Sequence, residues 1–287
     1  MIYLLLSIFF SVVSVSFFKL FEHYKVKTFN AIAVNYLSCF ALGNFLSNEN
    51  ILTEGVWQEP WVLYAIILGV LFISIFYTIG KTSQLMGMSV SMVSAKLSVV
   101  IPVFIAVFFF NETFNLIKLS GVITSLVAVV LISLGKEASQ GKSFWVLPLI
   151  VFLGSGLIDS LLNYIDMHFI PPADAATVIT TVFGIAGILG IIVLLLNAIR
   201  NRNKSILLKK EIFWGIALGI PNYFSMYFLL KTIGHYQEAS FIFPINNIAI
   251  AGLSTLVSYR VFKENLTKHN IVGLLLAFVS ILILSFR

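Results

Sequence analysis

Tyr77-Thr78-Ile79-Gly80-Lys81-Thr82 recurs as Tyr227-Phe228-Leu229-Leu230-Lys231-Thr232, 150 residues later. Farther on, Phe110-Asn111-Glu112 with Gly121 and Ser133 recurs as Phe262-Lys263-Glu264 with Gly273 and Ser285, at an offset of 152. Two copies of one unit are written in the chain, and the apolar runs between these landmarks divide as five in each copy. An odd number of crossings forces the second copy to face the opposite way. Inverted repeats of this kind build secondary transporters whose substrate sites lie near the bilayer midplane. A weaker echo at an offset of 144 sets Lys19 against Asn163 and Glu22 against Asp166.

Composition points the same way. Apolar residues make up 59% of the 287 and charged residues 10%, far from the balance of a soluble domain. The apolar residues form runs of roughly 20, the length that crosses a hydrocarbon core as a helix. Segments are expected at about 2–20, 29–46, 61–80, 85–110, 115–135, 144–166, 173–196, 212–231, 237–261 and 268–286. Backbone groups in lipid must be satisfied within each segment, and the alternation of a barrel strand is absent. The predicted fold is therefore all-α: a polytopic membrane protein of ten transmembrane helices in two inverted five-helix repeats. The repeats span 1–135 and 144–287, with a short linker at 136–143. The first apolar run has no basic residue before it and no clear small-x-small site after it, so it does not read as a cleaved signal.

The net charge of +6 does not imply nucleic acid, because the basic residues sit in connectors and form no face. Lys25, Lys27, Lys81, Lys136, Lys142, Arg200, Arg202, Lys204, Lys209, Lys210, Arg260, Lys263 and Lys268 fall in odd-numbered connectors. The even ones hold Lys118 and Lys231, with acids such as Glu49, Glu54 and Glu59. The positive-inside rule makes the odd connectors cytoplasmic and puts both termini outside an inner or plasma membrane. Trp57, Trp61, Trp145 and Trp214 lie near expected helix starts, as interfacial anchors do. Cys39 is the single cysteine, which leaves no intramolecular disulfide and no Cys-rich metal site.

The ends of the two copies read Asn-Glu-Thr-Phe-Asn-Leu-Ile-Lys-Leu-Ser-Gly at 111–121 and Lys-Glu-Asn-Leu-Thr-Lys-His-Asn-Ile-Val-Gly at 263–273. Each has a glutamate, eight residues, then a glycine in an apolar last helix. With the duplication, this resembles the drug/metabolite transporter superfamily, in its EamA-like branch of ten-helix exporters, over the whole chain. The resemblance implies a central cavity lined by the first, third and fourth segments of each half. It also implies a proline in the fourth segment of each half, a role that Pro102 and Pro244 fill at unmatched positions.

Lys96 is the strongest outlier in the hydropathy pattern. It falls near the middle of the expected fourth segment, where a lysine costs about 2.5–3.5 kcal/mol on insertion scales. Either it belongs to a substrate or ion pathway, or it forms a structural ion pair. The repeat alignment sets Asn246 against it, with Asn247 alongside. Both asparagines could serve substrate or bond between helices. Ser155, Asp159 and Asn163 share one face of the sixth segment at i, i+4 and i+8. Asp159, the carboxylate well inside a span, could pair with Lys96, carry a coupling proton or meet a substrate amine. Tyr77 and Lys81 share a face, as do Tyr227 and Lys231, with Tyr223 one turn earlier. Tyrosine suits a cavity for small organic molecules, and it also suits an interfacial belt. Ser14, with Ser7 and Ser11, marks one face of the first segment. Glu112 and Glu264 read as complements to helix starts. Small residues at Gly121/Ser125, Gly273/Ala277, Gly215/Gly219 and Gly184/Gly187 permit close helix approach, within a monomer or between two.

No zinc-protease helix, nucleophile elbow or phosphate-binding glycine loop is present, and His23, His168, His235 and His269 have no metal spacing. The chain is expected to be no enzyme and to need no cofactor. Its partners are the lipid bilayer and a small-molecule substrate, with a proton as candidate coupling ion, and it is a monomer or homodimer. The expected activity is secondary active export of a small organic metabolite, amino-acid-like, by alternating access. Lys96 would receive the carboxylate and Asp159 the amine or a proton. The alternatives are efflux of lipophilic cations and a non-transporting membrane subunit.

Overall fold

The long runs of Leu, Ile, Val and Phe satisfy their backbone groups as helices, and every regular element among the described residues is an α-helix. The computed structural model describes residues 2–46, 54–102, 116–134, 146–169, 175–200, 207–236 and 239–285. The helices are α1 (Ile2–His23), α2 (Thr28–Leu46), the single turn α3 (Glu54–Trp57), α4 (Val62–Met86), α5 (Met88–Leu97) and α6 (Leu116–Leu134). They continue as α7 (Val146–Phe169), α8 (Ala175–Arg200), α9 (Lys209–Tyr236), α10 (Ala239–Arg260) and α11 (Lys268–Ser285). Among the described residues, six helices are long and apolar enough to cross a membrane: α1, α2, α4, α7, α8 and α9. Glu112, Trp145, Lys136, Lys142, Arg202 and Lys204 lie outside the described residues.

The chain divides into two compact units, Met1–Tyr77 with Leu161–Gly234, and Thr78–Ser160 with His235–Arg287. Each draws helices from both sequence halves. In the first unit α2 lies along α8, and small residues set the spacing. A Cβ on Gly190 would stand 2.7 Å from the Ala33 Cβ, and one on Gly187 3.0 Å from the Leu37 backbone nitrogen. On α9, a Cβ at Gly219 would stand 2.9 Å from the Asn35 carbonyl oxygen. The glycine pairs at Gly184/Gly187 and Gly215/Gly219 thus serve packing inside one chain. Ser7 on α1 donates to the Ser225 carbonyl of α9 at 2.8 Å, and Tyr3 and Phe10 stack on Phe228. Lys210 donates to the Tyr24 carbonyl, and Tyr64 of α4 meets Tyr164 of α7 at 5.3 Å. Trp214 packs edge-on against Phe17 and Phe21. Trp61 is buried, so it is a packing residue and not the interfacial anchor its position suggests.

The second unit has a core of Val90, Val93 and Leu97 from α5, Val122 and Val129 from α6, Phe152 from α7, Ala251 from α10 and Ile281 from α11. α6 lies along α11, where Ser280 donates to the Gly121 carbonyl at 2.8 Å. The third segment runs past its expected end at residue 80 to Met86, and the chain turns at one residue, Gly87, with φ of 110°. Only glycine enters that region freely. Gly87 has no side chain to cap α5, and the carboxylate comes from a distance: Met88 N–H donates to Glu264 Oε2 at 3.1 Å, and Ser258 Oγ–H donates to the same oxygen. Glu264 therefore complements the positive end of α5 and not that of its own following helix.

Candidate functional site

The expected fourth segment, 85–110, is not one continuous helix over its described part. Pro102 has no N–H to give the Ser98 carbonyl, and its ring crowds that carbonyl. The Ile101 N–H closes on Ser98 O instead, at 2.9 Å. α5 ends at Leu97, turns at Ser98 and Val99, and helix resumes at Val100. Lys96 thus stands in the last turn of a half-helix, where its charge complements the carbonyl end. The rest of α5 from Met88 is buried, but Ala95, Lys96, Val99 and Pro102 form one partly open stripe.

Asp159 comes to this break from α7. Val146, Ile150, Leu153 and Leu157 form one exposed apolar flank of α7, while Asp159 and Asn163 are exposed on the other side with Ser155 half-open. Two residues on a helix turn about 200°, so Asp159 points away from the Leu157 flank. The apolar flank suits lipid, and the polar one suits water or solute. α7 approaches the break closely at Gly156, where a Cβ would overlap Ile101.

Ser98 joins the two elements. Its Oγ gives its proton to the Ala95 carbonyl at 2.6 Å and lies 3.3 Å from Asp159 Oδ2. One hydroxyl carries one proton, and 3.3 Å is long for an O–H···O bond. A neutral Asp159 can donate into the Ser98 lone pair, and an ionised Asp159 must compete with Ala95 for the Ser98 proton. Lys96 lies two residues before Ser98, which the Asp159 carboxylate approaches. No direct ion pair joins Lys96 to Asp159; among the described residues the one ion pair is Lys19 Nζ to Glu22 Oε2 at 3.3 Å.

α10 brings the asparagines. Ser89 and Thr255 hydroxyls meet at 2.9 Å, and Glu264, just beyond α10, reaches the start of α5. The helices therefore run antiparallel. Seven residues on from Ser89 is Lys96, and seven back from Thr255 is Ile248, so Asn247 and Asn246 fall at the level of Lys96 and the break. Both are buried, and Asn246 Oδ1 has no hydrogen-bond partner.

The remaining expected residues lie in the first unit. Asn163, four residues beyond Asp159, is exposed there. Tyr77 meets Phe29 edge-on at 5.5 Å. Tyr223 and Tyr227 stack at 5.9 Å, and Lys231 Nζ sits 5.1 Å over the Tyr227 ring. Ser14 is buried and donates to the Phe10 carbonyl at 2.8 Å. The sequence reading missed Ser98, whose signal was Pro102 four residues later. Among the described residues no three His, Cys, Asp or Glu converge on a metal position.

No family model matches the chain. Over 261 residues it is 28% identical to an uncharacterized protein of Haemophilus influenzae, an alignment covering 88% of this chain and 86% of that one. A crystal structure of a protein superposes on 98% of this chain and 96% of its own, with a TM-score of 0.58 and 14% identity. That likeness shows a shared fold.

Proposed function

We propose that the chain is a secondary active transporter, an EamA-like exporter of small, amino-acid-like metabolites, working by alternating access across the inner or plasma membrane. The interrupted α5 carries the reading: a helix broken inside an apolar bundle, with a lysine on its open stripe and a carboxylate hydrogen-bonded to the break. Broken helices at membrane depth mark binding sites in transporters, because unpaired backbone there needs a partner. Lys96 and Asp159, held near each other without a direct pair, leave both charges available to a zwitterion.

The ten-segment inverted repeat draws support from the helix pairings. With segments numbered in chain order and the single turn α3 omitted, second lies against seventh, fourth against ninth and fifth against tenth. First meets eighth and third meets sixth. Shifting each segment five places maps this set onto itself. Thr82 and Thr232, equivalent at the 150 offset, make the same bond to the carbonyl four residues back, at 2.8 and 2.7 Å.

Proteoliposomes loaded with a mixture of the common amino acids, with and without an imposed pH gradient, test the activity. Gradient-dependent solute efflux through the purified protein alone is expected. Its absence, with uptake of a lipophilic cation in its place, would support multidrug efflux, and no movement of either would support a non-transporting subunit. For orientation, a cysteine placed at Asn50 in a Cys39→Ala background should react with impermeant thiol reagents in intact cells, and one at Ser139 should not; the reverse pattern overturns the topology.

A further inference from the structure

At one end of the first unit the turn after α1, the end of α8 and the start of α9 come together. Lys210 at the start of α9 donates to the Tyr24 carbonyl just past α1, and the Tyr24 ring lies 5.0 Å from that of Trp214. α8 runs antiparallel to α2, with Gly184 beside Phe40 and Gly190 beside Ala33, so Arg200 stands at the end where α2 begins. Lys25, Lys27, Arg200, Lys209 and Lys210 are exposed there. The carboxylates on the same helix ends are engaged. Glu22 meets Lys19 at 3.3 Å, and Glu211 is buried and accepts the Leu208 N–H at 2.8 Å. Among the described residues, this rim therefore carries positive charge that its own acids do not answer.

The apolar surface leading away from that rim has a matching form. Lys209, Ile212, Phe213, Ile216 and Ile220 are all exposed. A helix has about 3.6 residues per turn, so these positions make one stripe along α9 with the lysine at its head. The isoleucines from Ile212 to Ile220 cover about 12 Å of helix. Trp214 is half-buried against Phe17 and Phe21 at the head of the stripe, the level at which tryptophan rings mark a membrane boundary. A free phosphate would meet the lysines and leave the stripe bare. An anion carrying a hydrocarbon tail covers both, and clusters of lysine and arginine beside apolar helices attract anionic lipid headgroups.

We infer that this end of the first unit is a binding site for an anionic glycerophospholipid, with its phosphate at Lys25 and Lys209 and an acyl chain along the stripe from Ile212 to Ile220. Lys25 adjoins Tyr24 and Lys209 adjoins Lys210, so the two flank the joint between the α1 turn and α9. Lys210 is a positioning residue that ties that turn to the start of α9. Lys27 and Arg200 add to the positive field. The inference rests on the membrane part of the reading above and on none of its solute chemistry.

The test is the melting temperature of the purified full chain in neutral detergent micelles, titrated with dioleoyl phosphatidylglycerol, dioleoyl phosphatidylcholine or glycerol 3-phosphate. Phosphatidylglycerol should raise it saturably, and the other two should not. Lys209→Gln should raise the half-saturating concentration roughly fivefold, the effect of one lysine at an anionic lipid surface. Lys25 stands at φ of 52°, a conformation that glycine enters freely, so Lys25→Gly removes the charge and keeps the fold. Its lipid-free melting temperature should hold, and its response should weaken by a similar factor. Lys263, at φ of 51° in the second unit, is the matched control, and Lys263→Gly should respond as the wild type does. Equal stabilisation by phosphatidylcholine or by glycerol 3-phosphate, an unchanged response in Lys209→Gln and Lys25→Gly, or an equal loss in Lys263→Gly would each overturn the proposal. Solute transport in proteoliposomes alongside any of those results leaves the transporter reading standing and removes this one; a selective lipid response without transport does the reverse.

Discussion

Pro102 and Pro221 both follow helical turns, and the chain responds differently at each. Before Pro102 the chain leaves the helix, turns at Ser98 and Val99, and puts a charged side chain on a partly open stripe. At Pro221 the helix runs on, from Lys209 to Tyr236. The difference lies in what surrounds each proline. α9 is pressed onto α2 at Gly215 and Gly219, before Pro221, and tied to α1 through Ser225 just after it, so its two ends are held in line. α5 has ten residues and a cap borrowed from Glu264. Just past its break, Ile101 packs against α7 at Gly156. The two prolines thus stand in different packing, and in both helices polar side chains collect beside the missing N–H.

The largest effect should come from the charge at the break. Lys96→Ala should reduce transport in proteoliposomes to the level of empty vesicles while the protein still inserts and purifies, and Lys96→Arg should retain part of the activity, since charge is kept and geometry is not. Wild-type transport by Lys96→Ala would remove the break from the mechanism. Next comes the proline itself. Pro102→Ala restores the N–H that Ser98 lacks and should raise stability by up to about 3 kcal/mol, the usual penalty of an interior proline, while slowing transport. Pro221→Ala should shift the melting temperature less, because α9 is already continuous. Equal shifts would mean that packing does not distinguish the two sites.

A smaller effect is expected at the start of α5. Glu264→Ala removes the acceptor of the Met88 N–H and should destabilise by about 1 kcal/mol, as cap losses do. Glu264→Gln keeps an acceptor oxygen and should lose less; a melt in which both variants match the wild type would show the cap to be idle. The smallest effect concerns Lys96 with Asp159. Residues in contact couple by roughly 0.5–3 kcal/mol, and this pair makes no direct bridge, so the cycle of Lys96→Met, Asp159→Asn and the double variant should give about 0.5 kcal/mol. A coupling near the upper end would mean that the two close into a pair during function.

Hydropathy alone marked the chain as all-helical with apolar helices long enough to span, and it singled out Lys96 and Asp159, because a charge inside an apolar run contradicts its own neighbourhood. It was not enough to show that Lys96 ends a half-helix. That depends on Pro102 acting four residues back, and on Gly87, which reads as one more small residue until its backbone angle is known. Asn35 and Asn222 escaped the sequence reading for a similar reason. Each is one neutral polar residue in an apolar run, and the bond between them arises only when α2 and α9 meet. The Pro221-Asn222 dipeptide was the available signal. Glu264 was read as serving the nearest helix in sequence, and it serves one 176 residues away.

The pairing of α2 with α8 and of α6 with α11 also bears on how the protein is made. In each pair the partners are separated by about 150 residues, which at ribosomal rates of 5–20 residues per second is on the order of ten seconds or more. In the proposed membrane setting, α2 would wait in the bilayer over that interval with Asn35 and Cys39 uncovered, and neither unit can close until translation has passed well into the second half of the chain. On the proposed membrane reading, the early helices would have to tolerate a period in lipid without their partners.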